Sequence, residues 1–184
     1  VFAASVRYEG LKRLGLDYEA VKKIRPDVIY VHAAGYGSDG PYAGEPAYDD
    51  QNIFAKILRG ELPCHKVFED DDTLVFMDIM PRGPGHCLVI PKNPARNILD
   101  IAPEDYASVG RTVQRMARAC KKAFAADGVT IQQFNESAGG QVVFHLHVHV
   151  IPRFEGVALL PPASRQGDMD ELKANAEKIA AAID

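Results

Sequence analysis

The sequence predicts an α+β domain over residues 48–184, in which antiparallel strands carry helices on one side. Three observations lead to this fold class. Short runs rich in β-branched and aromatic residues are separated by turns of acidic residues, glycine and proline. One long segment repeats its apolar residues at helical spacing. A second helical segment, rich in alanine, follows the last strand, and together these elements form an α+β arrangement.

The domain begins with a short amphipathic helix over Asn52–Arg59. The apolar residues Ile53, Phe54 and Ile57 lie on one face of this helix at helical spacing. Gly60 ends the helix, because glycine adopts the left-handed conformation found after many helix C-termini without steric cost.

Five strands are predicted after this helix. The first two flank the acidic turn Glu69–Asp72, and the last two flank the turn Glu136–Gly140. The predicted ranges are His65–Glu69, Thr73–Asp78, Gly85–Pro91, Val129–Asn135 and Gln141–Ile151.

A long helix over Pro103–Ala126 separates the third strand from the fourth. Pro103 near the first helical position and acidic residues in the first turn are typical of a helix start, and Asp127-Gly128 stops the helix. Its apolar stripe consists of Val109, Val113, Met116, Cys120 and Phe124. The last helix is predicted over the alanine-rich segment Asp168–Ile183.

An extra helix and strand precede this domain. Leu16–Ile24 predicts a short helix capped by Asp17, and Asp27–His32 predicts a strand. A loop rich in glycine and proline, Gly35–Pro46, follows them. Because one helix and one strand cannot enclose a hydrophobic core, we expect this piece to pack on other structure.

Composition limits the function classes. With 21 Lys and Arg against 25 Asp and Glu, the net charge is −4, so no surface for nucleic acid or an anionic membrane is expected. The longest apolar runs, such as Cys87–Pro91, are too short to cross a bilayer. The cysteines Cys64, Cys87 and Cys120 lack Cys-x-x-Cys spacing, which argues against a disulfide framework or a cysteine zinc site and favours a cytoplasmic location.

The segment Gly139–Arg153 contains half of the six histidines of the chain. Because strand side chains alternate in direction, His145, His147 and His149 share one face of the predicted strand, and the apolar residues between them share the other. Three interpretations of this face are open: buried structural histidines, a three-histidine metal site, and one nucleophilic imidazole assisted by the others. Nucleophilic attack is feasible because an imidazole with a pKa near 6.5 is available as free base at neutral pH.

The run His145-Leu-His-Val-His-Val-Ile151 resembles the signature of the histidine-triad (HIT) family, and the resemblance extends over most of residues 48–155. The most similar branch binds nucleotides and acts on nucleoside phosphoramidates. The resemblance implies a HIT-type antiparallel sheet and a covalent nucleotidyl intermediate on His147. It also implies that His149 contacts the phosphate and leaving group, and that His145 holds the other ring nitrogen of His147 in the right tautomer.

Other residues match binding positions of the family. On the phosphate side these are His86, Asn135, Gly140, Gln141 and Val142, with Gly139-Gly140 predicted to offer backbone N–H groups to the phosphate. Asp78 matches the acid that bonds the ribose hydroxyls. The predicted walls of the base pocket are Ile53, Phe54, Ile57, Phe76 and Ile79.

Three departures from the family pattern affect what we expect for phosphate binding, for the leaving group and for a structural zinc. The loop from Asn135 to Gln141 is one residue shorter than the pattern, and Val142 stands where relatives carry a hydroxyl that helps to protonate the leaving group. Asn52 and Ala55 replace the Cys-x-x-Cys pair that binds a structural zinc in some relatives, so this zinc is not expected. A catalytic metal or cofactor is not expected either, because backbone N–H groups and imidazoles would meet the charge that develops on the phosphate oxygens.

The N-terminal piece resembles a different family. The stretch LKRLGLDYEAVKKIRPDVIYVHAAGYGSDGPYAGEPAYDD is similar to an internal segment of the class III coenzyme A transferases. The catalytic aspartate of that family lies downstream of the matching segment, where this chain does not continue the pattern. We therefore expect residues 1–47 to be a non-catalytic fragment; a genuine N-terminal extension is the alternative.

The expected function is a hydrolase or transferase that acts at the α-phosphorus of AMP or GMP conjugates. The alternatives are a purine-nucleotide-binding module with vestigial catalysis and a three-histidine metallohydrolase. A homodimer is expected, as in the resembling branch. Its contacts would be the apolar stripe of the long helix and an edge strand over Val129–Phe134.

Overall fold

The computed structural model describes residues 2–4, 14–26, 30–32 and 52–184, which belong to two units of the chain, Val1–Tyr48 and Asp49–Asp184. In the first unit, α1 (Tyr18–Ile24) begins after Asp17, whose Oδ1 accepts a hydrogen bond from the backbone N–H of Ala20 at 3.2 Å. This confirms the predicted helix and its N-cap.

The first unit also contains a strand that periodicity did not predict. β1 (Phe2–Ala4) pairs in parallel with β2 (Tyr30–His32), so the described part of this unit holds two strands rather than one. Three residues are too few to establish a period of two, which explains why β1 was missed. The start of the predicted strand, residues 27–29, and the loop over residues 35–46 lie outside the described residues.

The second unit confirms the predicted α+β class. Its helices and strands are α2 (Ile53–Leu58), β3 (Lys66–Glu69), β4 (Thr73–Met77), β5 (Cys87–Pro91), α3 (Pro103–Phe124), β6 (Gly128–Gln132), β7 (Val148–Arg153) and α4 (Met169–Ala180). The five strands form one antiparallel sheet in the order β3-β4-β5-β7-β6. β7, which carries His149, therefore lies between two partners inside the sheet.

The sheet buries both of its faces, because residues alternate along β4 and β5. Val75 and Val89 face one core together with residues of α3 and α4. Phe76 and Leu88 face the opposite side, where Phe54 of α2 covers them. The prediction that all helices lie on one side is thus wrong for α2, whose position beside the sheet brings it to the histidines.

The apolar stripe of α3 packs against the sheet of its own protomer. Val109, Met116 and Cys120 are fully buried against the sheet, so this stripe does not support the expected dimer contact. The helix ends at Phe124, and its C-cap residue Ala125, three residues before Gly128, adopts a left-handed conformation with φ of 48°.

The strand that carries the triad is shorter than predicted, since β7 begins at Val148 rather than Gln141. Its pairing with β5 ends where Val89 faces Val148. Pro91, at the end of β5, has no N–H to continue the ladder. Before β7 the chain is held by a bond from the N–H of Leu146 to the carbonyl of Ala95 at 2.8 Å.

No helix within the described ranges is long and apolar enough to span a bilayer.

Candidate active site

The main-chain carbonyl of His145 orients His147. His147 Nδ1 lies 2.7 Å from this oxygen. A carbonyl only accepts hydrogen bonds, so Nδ1 carries the proton and Nε2 keeps its lone pair. The predicted orienting role of His145 thus belongs to its backbone, while its imidazole Nε2 bonds the carbonyl of Pro91 at 3.0 Å. No protein group in the described ranges is bonded to His147 Nε2, which leaves this nitrogen available as a nucleophile.

The third histidine of the triad contacts a buried fourth histidine. His149 lies in β7, and its Nδ1 is 2.9 Å from Nε2 of His86. The side chain of His86 is 1% exposed and accepts a bond at Nδ1 from the backbone N–H of Arg82 at 3.1 Å. His86 is thus placed behind His149 rather than on an open phosphate-facing surface. The ring centroids of His147 and His149 are 5.1 Å apart.

Burial keeps these imidazoles neutral near pH 7, because charging a buried group costs its hydration. Burial lowers the pKa of His86 to about 3, with a further contribution from the charge of Arg82. It lowers the pKa of His149 to about 3 and that of His145 to about 4. Burial also lowers the pKa of His147, opposed by the His145 carbonyl and the charge of Asp78. All four rings can therefore act as free bases or neutral donors.

Asp78 lies at the end of β4, close to both His86 and His149. Its Oδ2 is 3.5 Å from His86 Nε2 and 3.9 Å from His149 Nδ1. Its Oδ1 accepts a bond from the backbone N–H of Met80 at 2.8 Å. This bond fixes the carboxylate beside the histidines, where Asp78 was predicted to meet a ribose.

An apolar wall stands beside the nucleophile. The ring of Phe54 packs edge-on against His147 at 5.1 Å and against Phe76 at 5.5 Å between centroids. Ile57 packs partly buried on the same cluster. Ile53 and Ile79 are 46% and 48% exposed, which leaves apolar surface available to a ligand. Of the two predicted aromatic residues, Phe54 thus contacts the triad and Phe76 contacts Phe54, while the two isoleucines remain accessible.

A cavity of about 560 Å³ lies beside α2 but contains none of the histidines. Of the predicted base-pocket residues it shares only Ile57, and its lining also includes Leu74, Cys64, Lys66 and Lys92. It is therefore not the reaction centre.

The glycine-rich turn does not offer the N–H groups that the sequence suggested. The N–H groups of Gly139 and Gly140 donate to the carbonyls of Glu136 and Ser137, at 3.0 and 3.1 Å. Gly140 is left-handed, with φ of 92°, which closes this turn. The prediction that Gly139 and Gly140 offer backbone N–H groups to a phosphate is therefore wrong, because both groups donate hydrogen bonds within the turn.

Three other phosphate-side candidates have distinct environments. Gln141 is 3% exposed, and its amide bonds the Glu136 N–H, the carbonyl of Arg96 and other loop groups. Asn135 lies beyond the end of β6, where its side chain bonds Gln133 and the N–H of Ile98. The side chains of Gln141 and Asn135 therefore hold loops together, whereas Val142 is 84% exposed.

A polar network that supports this loop was not predicted. Arg96 forms two 2.9 Å hydrogen bonds to the carboxylate of Glu136, and Asn97 bonds the same carboxylate at 2.7 Å. Glu136 itself adopts a φ of 61°, which is unfavourable for a residue with a side chain. The network joins segments about 40 residues apart, so no local spacing could have revealed it.

Within the described residues, His145, His147 and His149 do not bring their ring nitrogens together as one set of metal ligands. The group that does converge is Asp78, His86 and His149. A point about 2.0 Å from each of their three facing atoms exists, which is a zinc-ligand distance. However, the Arg82 N–H occupies the lone pair of His86 Nδ1, so Nε2 carries the proton and is not a ligand.

The residues that replace the Cys-x-x-Cys pair have a structural role. Asn52 is the N-cap of α2, and its Oδ1 accepts from the N–H groups of Phe54 and Ala55 at 2.9 Å each. A capping amide and an alanine supply no thiolate for zinc.

Comparisons with known proteins agree with this geometry. The HIT domain model matches residues 59–156, and the CoA-transferase family III model matches residues 1–55. The chain is 37% identical to adenylylsulfatase HINT3 of Arabidopsis thaliana over 123 residues, 67% of this chain and 62% of that protein. It therefore spans less than two thirds of that relative. It is 39% identical to the protein hit of Bacillus subtilis over 55% of this chain and 70% of that protein.

Solved structures show the same fold. The HIT-like protein of Bartonella henselae, described as involved in cell-cycle regulation, is 53% identical with a TM-score of 0.72. The alignment covers 74% of this chain and 98% of that one. A zinc-bound histidine-triad protein of Mycobacterium smegmatis is 35% identical with a TM-score of 0.64, over 72% and 92% of the two chains.

An antiparallel sheet with a histidine triad beside an apolar wall thus defines a protein of the histidine-triad class. The chain belongs to the HIT domain family, and its N-terminal residues match a fragment of CoA-transferase family III.

Proposed function

We propose that the chain hydrolyses purine nucleoside phosphoramidates or related nucleotide conjugates through a covalent nucleotidyl intermediate on His147. The observation that carries this proposal is the 2.7 Å bond from His147 Nδ1–H to the His145 carbonyl. It leaves Nε2 as a lone-pair donor in a neutral ring, which is the form that attacks phosphorus.

The reaction has two steps. His147 Nε2 attacks the α-phosphorus and forms a P–N bond, while the bond from phosphorus to the leaving group breaks. The leaving amine or oxygen takes the proton from Nε2 of His149, and the resulting imidazolate accepts a hydrogen bond at Nδ1 from His86 Nε2, 2.9 Å away. A water molecule then attacks phosphorus, returns a proton to His149 Nε2 and displaces His147, which releases the nucleoside monophosphate.

Charge on the phosphate oxygens needs donors in a largely water-free site. Among the described residues, the backbone N–H groups of Val142 and Val143 have no acceptor within the protein. We assign phosphate binding to these two amides, together with His149. The exposed Val142 side chain provides no hydroxyl, so the leaving group would depend on His149 alone for its proton.

Purine binding is assigned to the apolar wall. Phe54 packs against His147, Phe76 packs against Phe54, and the exposed Ile53 and Ile79 can cover a flat base. Asp78, held by the N–H of Met80, is assigned to the ribose hydroxyls. The relative from Arabidopsis, named as an adenylylsulfatase, supports a nucleotide substrate of this kind.

The test is turnover of a fluorogenic adenosine phosphoramidate by His147→Asn and His147→Ala. Both variants should lose orders of magnitude in rate while AMP binding stays roughly intact. A variant that keeps more than about a tenth of the wild-type rate would remove His147 from the nucleophile role. AMP binding by the wild type without turnover would instead favour a purine-nucleotide-binding module.

A homodimer is proposed as the assembly. β6 pairs only with β7 in the described sheet, and Ile131 on β6 is exposed. Pairing of β6 with its twofold mate would cover this edge. Light scattering at micromolar concentration should give the mass of two chains, and a monomer would contradict the assignment.

A further inference from the structure

The geometry points to His86 as a positioning residue that fixes the tautomer of His149, so that His149 presents Nε2–H to the leaving group. The catalytic consequence of this inference rests on the proposed function, whereas the tautomer itself does not. His86 would act without touching the substrate, because its side chain is 1% exposed and lies behind His149.

The chain of hydrogen bonds begins at Arg82. Its backbone N–H can only donate, so His86 Nδ1 must be the unprotonated nitrogen of that ring. The donor is well anchored, since the Arg82 side chain bonds Gln132 Oε1 at 2.8 Å and the carbonyl of Leu160 at 2.9 Å. The N–H of His86 also closes the turn by donating to the Gly83 carbonyl at 3.3 Å.

The second step follows from the first. A neutral His86 with a bare Nδ1 carries its proton on Nε2, and the nearest acceptor is His149 Nδ1 at 2.9 Å. The Asp78 carboxylate is farther from the same nitrogen, at 3.5 Å. His149 Nδ1 therefore accepts, and the proton of its neutral ring lies on Nε2.

Loss of His86 would reverse this assignment. Without a donor facing it, His149 Nδ1 could take the proton and donate it to Asp78 Oδ2, which is 3.9 Å away. Nε2 of His149 would then be an acceptor. An acceptor cannot protonate a departing amine, so the first chemical step would lose its general acid.

The direct experiment is nitrogen NMR on the full-length protein labelled with ¹⁵N-histidine, near neutral pH. In the wild type, His149 should show a bare Nδ1 and a protonated Nε2, whereas His147 should show the opposite pattern. His86→Leu should move the His149 proton to Nδ1. His86→Gln keeps an N–H at the end of its side chain and should retain the wild-type tautomer.

A leaving-group series supplies the second readout. His86→Leu should slow hydrolysis of substrates with poor leaving groups, such as alkylamines, by about 10²- to 10⁴-fold. It should change nitrophenyl ester hydrolysis far less, because that leaving group departs without a proton. His86→Gln should recover most of the lost rate.

The outcomes separate the two claims. A wild-type His149 with a protonated Nδ1 overturns the inference even if His86→Leu does not fold. An unchanged His149 tautomer in folded His86→Leu overturns it as well. A wild type that shows the expected tautomers but no turnover supports the positioning role and rejects the proposed function.

Discussion

Lowering the pH should destabilise the HIT domain well above the range in which carboxylates titrate. The pKa values of His86 and His149 are lowered to about 3, and that of His145 to about 4, whereas an unfolded histidine titrates near 6.5. Below 6.5 the unfolded chain binds protons that the folded domain cannot. The free energy of unfolding is therefore at its full value above pH 6.5 and falls as the pH drops from 6.5 to about 4 for His145 and to about 3 for His86 and His149.

The size of this loss in the free energy of unfolding follows from the three buried imidazole rings. Each ring lowers the free energy of unfolding by about 1.4 kcal/mol for every pH unit below its unfolded pKa. This amounts to about 2 kcal/mol per histidine at about pH 5. Together the three rings would remove about 6 kcal/mol, a large part of the stability of a domain of this size. The lowered pKa of His147 acts in the same direction.

Urea unfolding followed by far-ultraviolet circular dichroism measures this effect, since the chain has no tryptophan to report by fluorescence. The comparison is between wild type and His86→Gln at several pH values between about 7.5 and 5. The variant should lose stability less steeply, by about 1.4 kcal/mol per pH unit, because one titrating ring is gone. Parallel curves for the two proteins, or a wild-type curve that is flat over this range, would refute the reasoning.

Three other predictions follow from packing and organisation. Gly85→Ala should lower the free energy of unfolding by about 2 to 4 kcal/mol, because φ is +74° and the new Cβ would clash with the ring of Phe124. Gly110 is the matched control, because it is exposed in α3 and a Cβ added there would meet nothing within 4 Å. Gly110→Ala should raise the free energy of unfolding by about 0.5 to 1 kcal/mol, and thermal unfolding of the two variants measures the difference. Gln141→Ala should cost about 2 to 4 kcal/mol, since buried partners in two loops lose their bonds, and a change below about 0.5 kcal/mol would contradict that role. Deletion of residues 1–47 should leave phosphoramidate turnover within a few-fold, and a folded but inactive truncation would show that the CoA-transferase-like segment contributes to the site.

The sequence predicted those features that depend on local periodicity. The stripe of α3 and the alternation of apolar residues through Val148 and Val150 follow from repeats of 3.6 and two residues. The cap at Asp17 follows from a local property of its side chain, which accepts a hydrogen bond from a free N–H at the helix start. The triad was recognised for the same reason. The predicted start of β7 was wrong because a distant residue, Pro91, stops the ladder, and the repeat in the histidine segment does not contain that information.

Partners across long separations could not be predicted from the pattern. His86 and His149 are 63 residues apart, and only folding shows that one ring lies behind the other. Gln141 matched a phosphate-side position, yet its amide bonds the Arg96 carbonyl 45 residues away. A strand pattern gives the face on which a side chain lies, but not the group that meets it there.

The central claim is that His147 carries the nucleotide during turnover. Rapid acid-free quenching of the wild type with an adenosine phosphoramidate, followed by mass spectrometry of its peptides, tests it directly. We predict a nucleoside monophosphoryl group on His147 that forms and decays at rates consistent with turnover and is absent in His147→Asn. Turnover with no such adduct in a matching burst, or an adduct on another residue, would contradict the account.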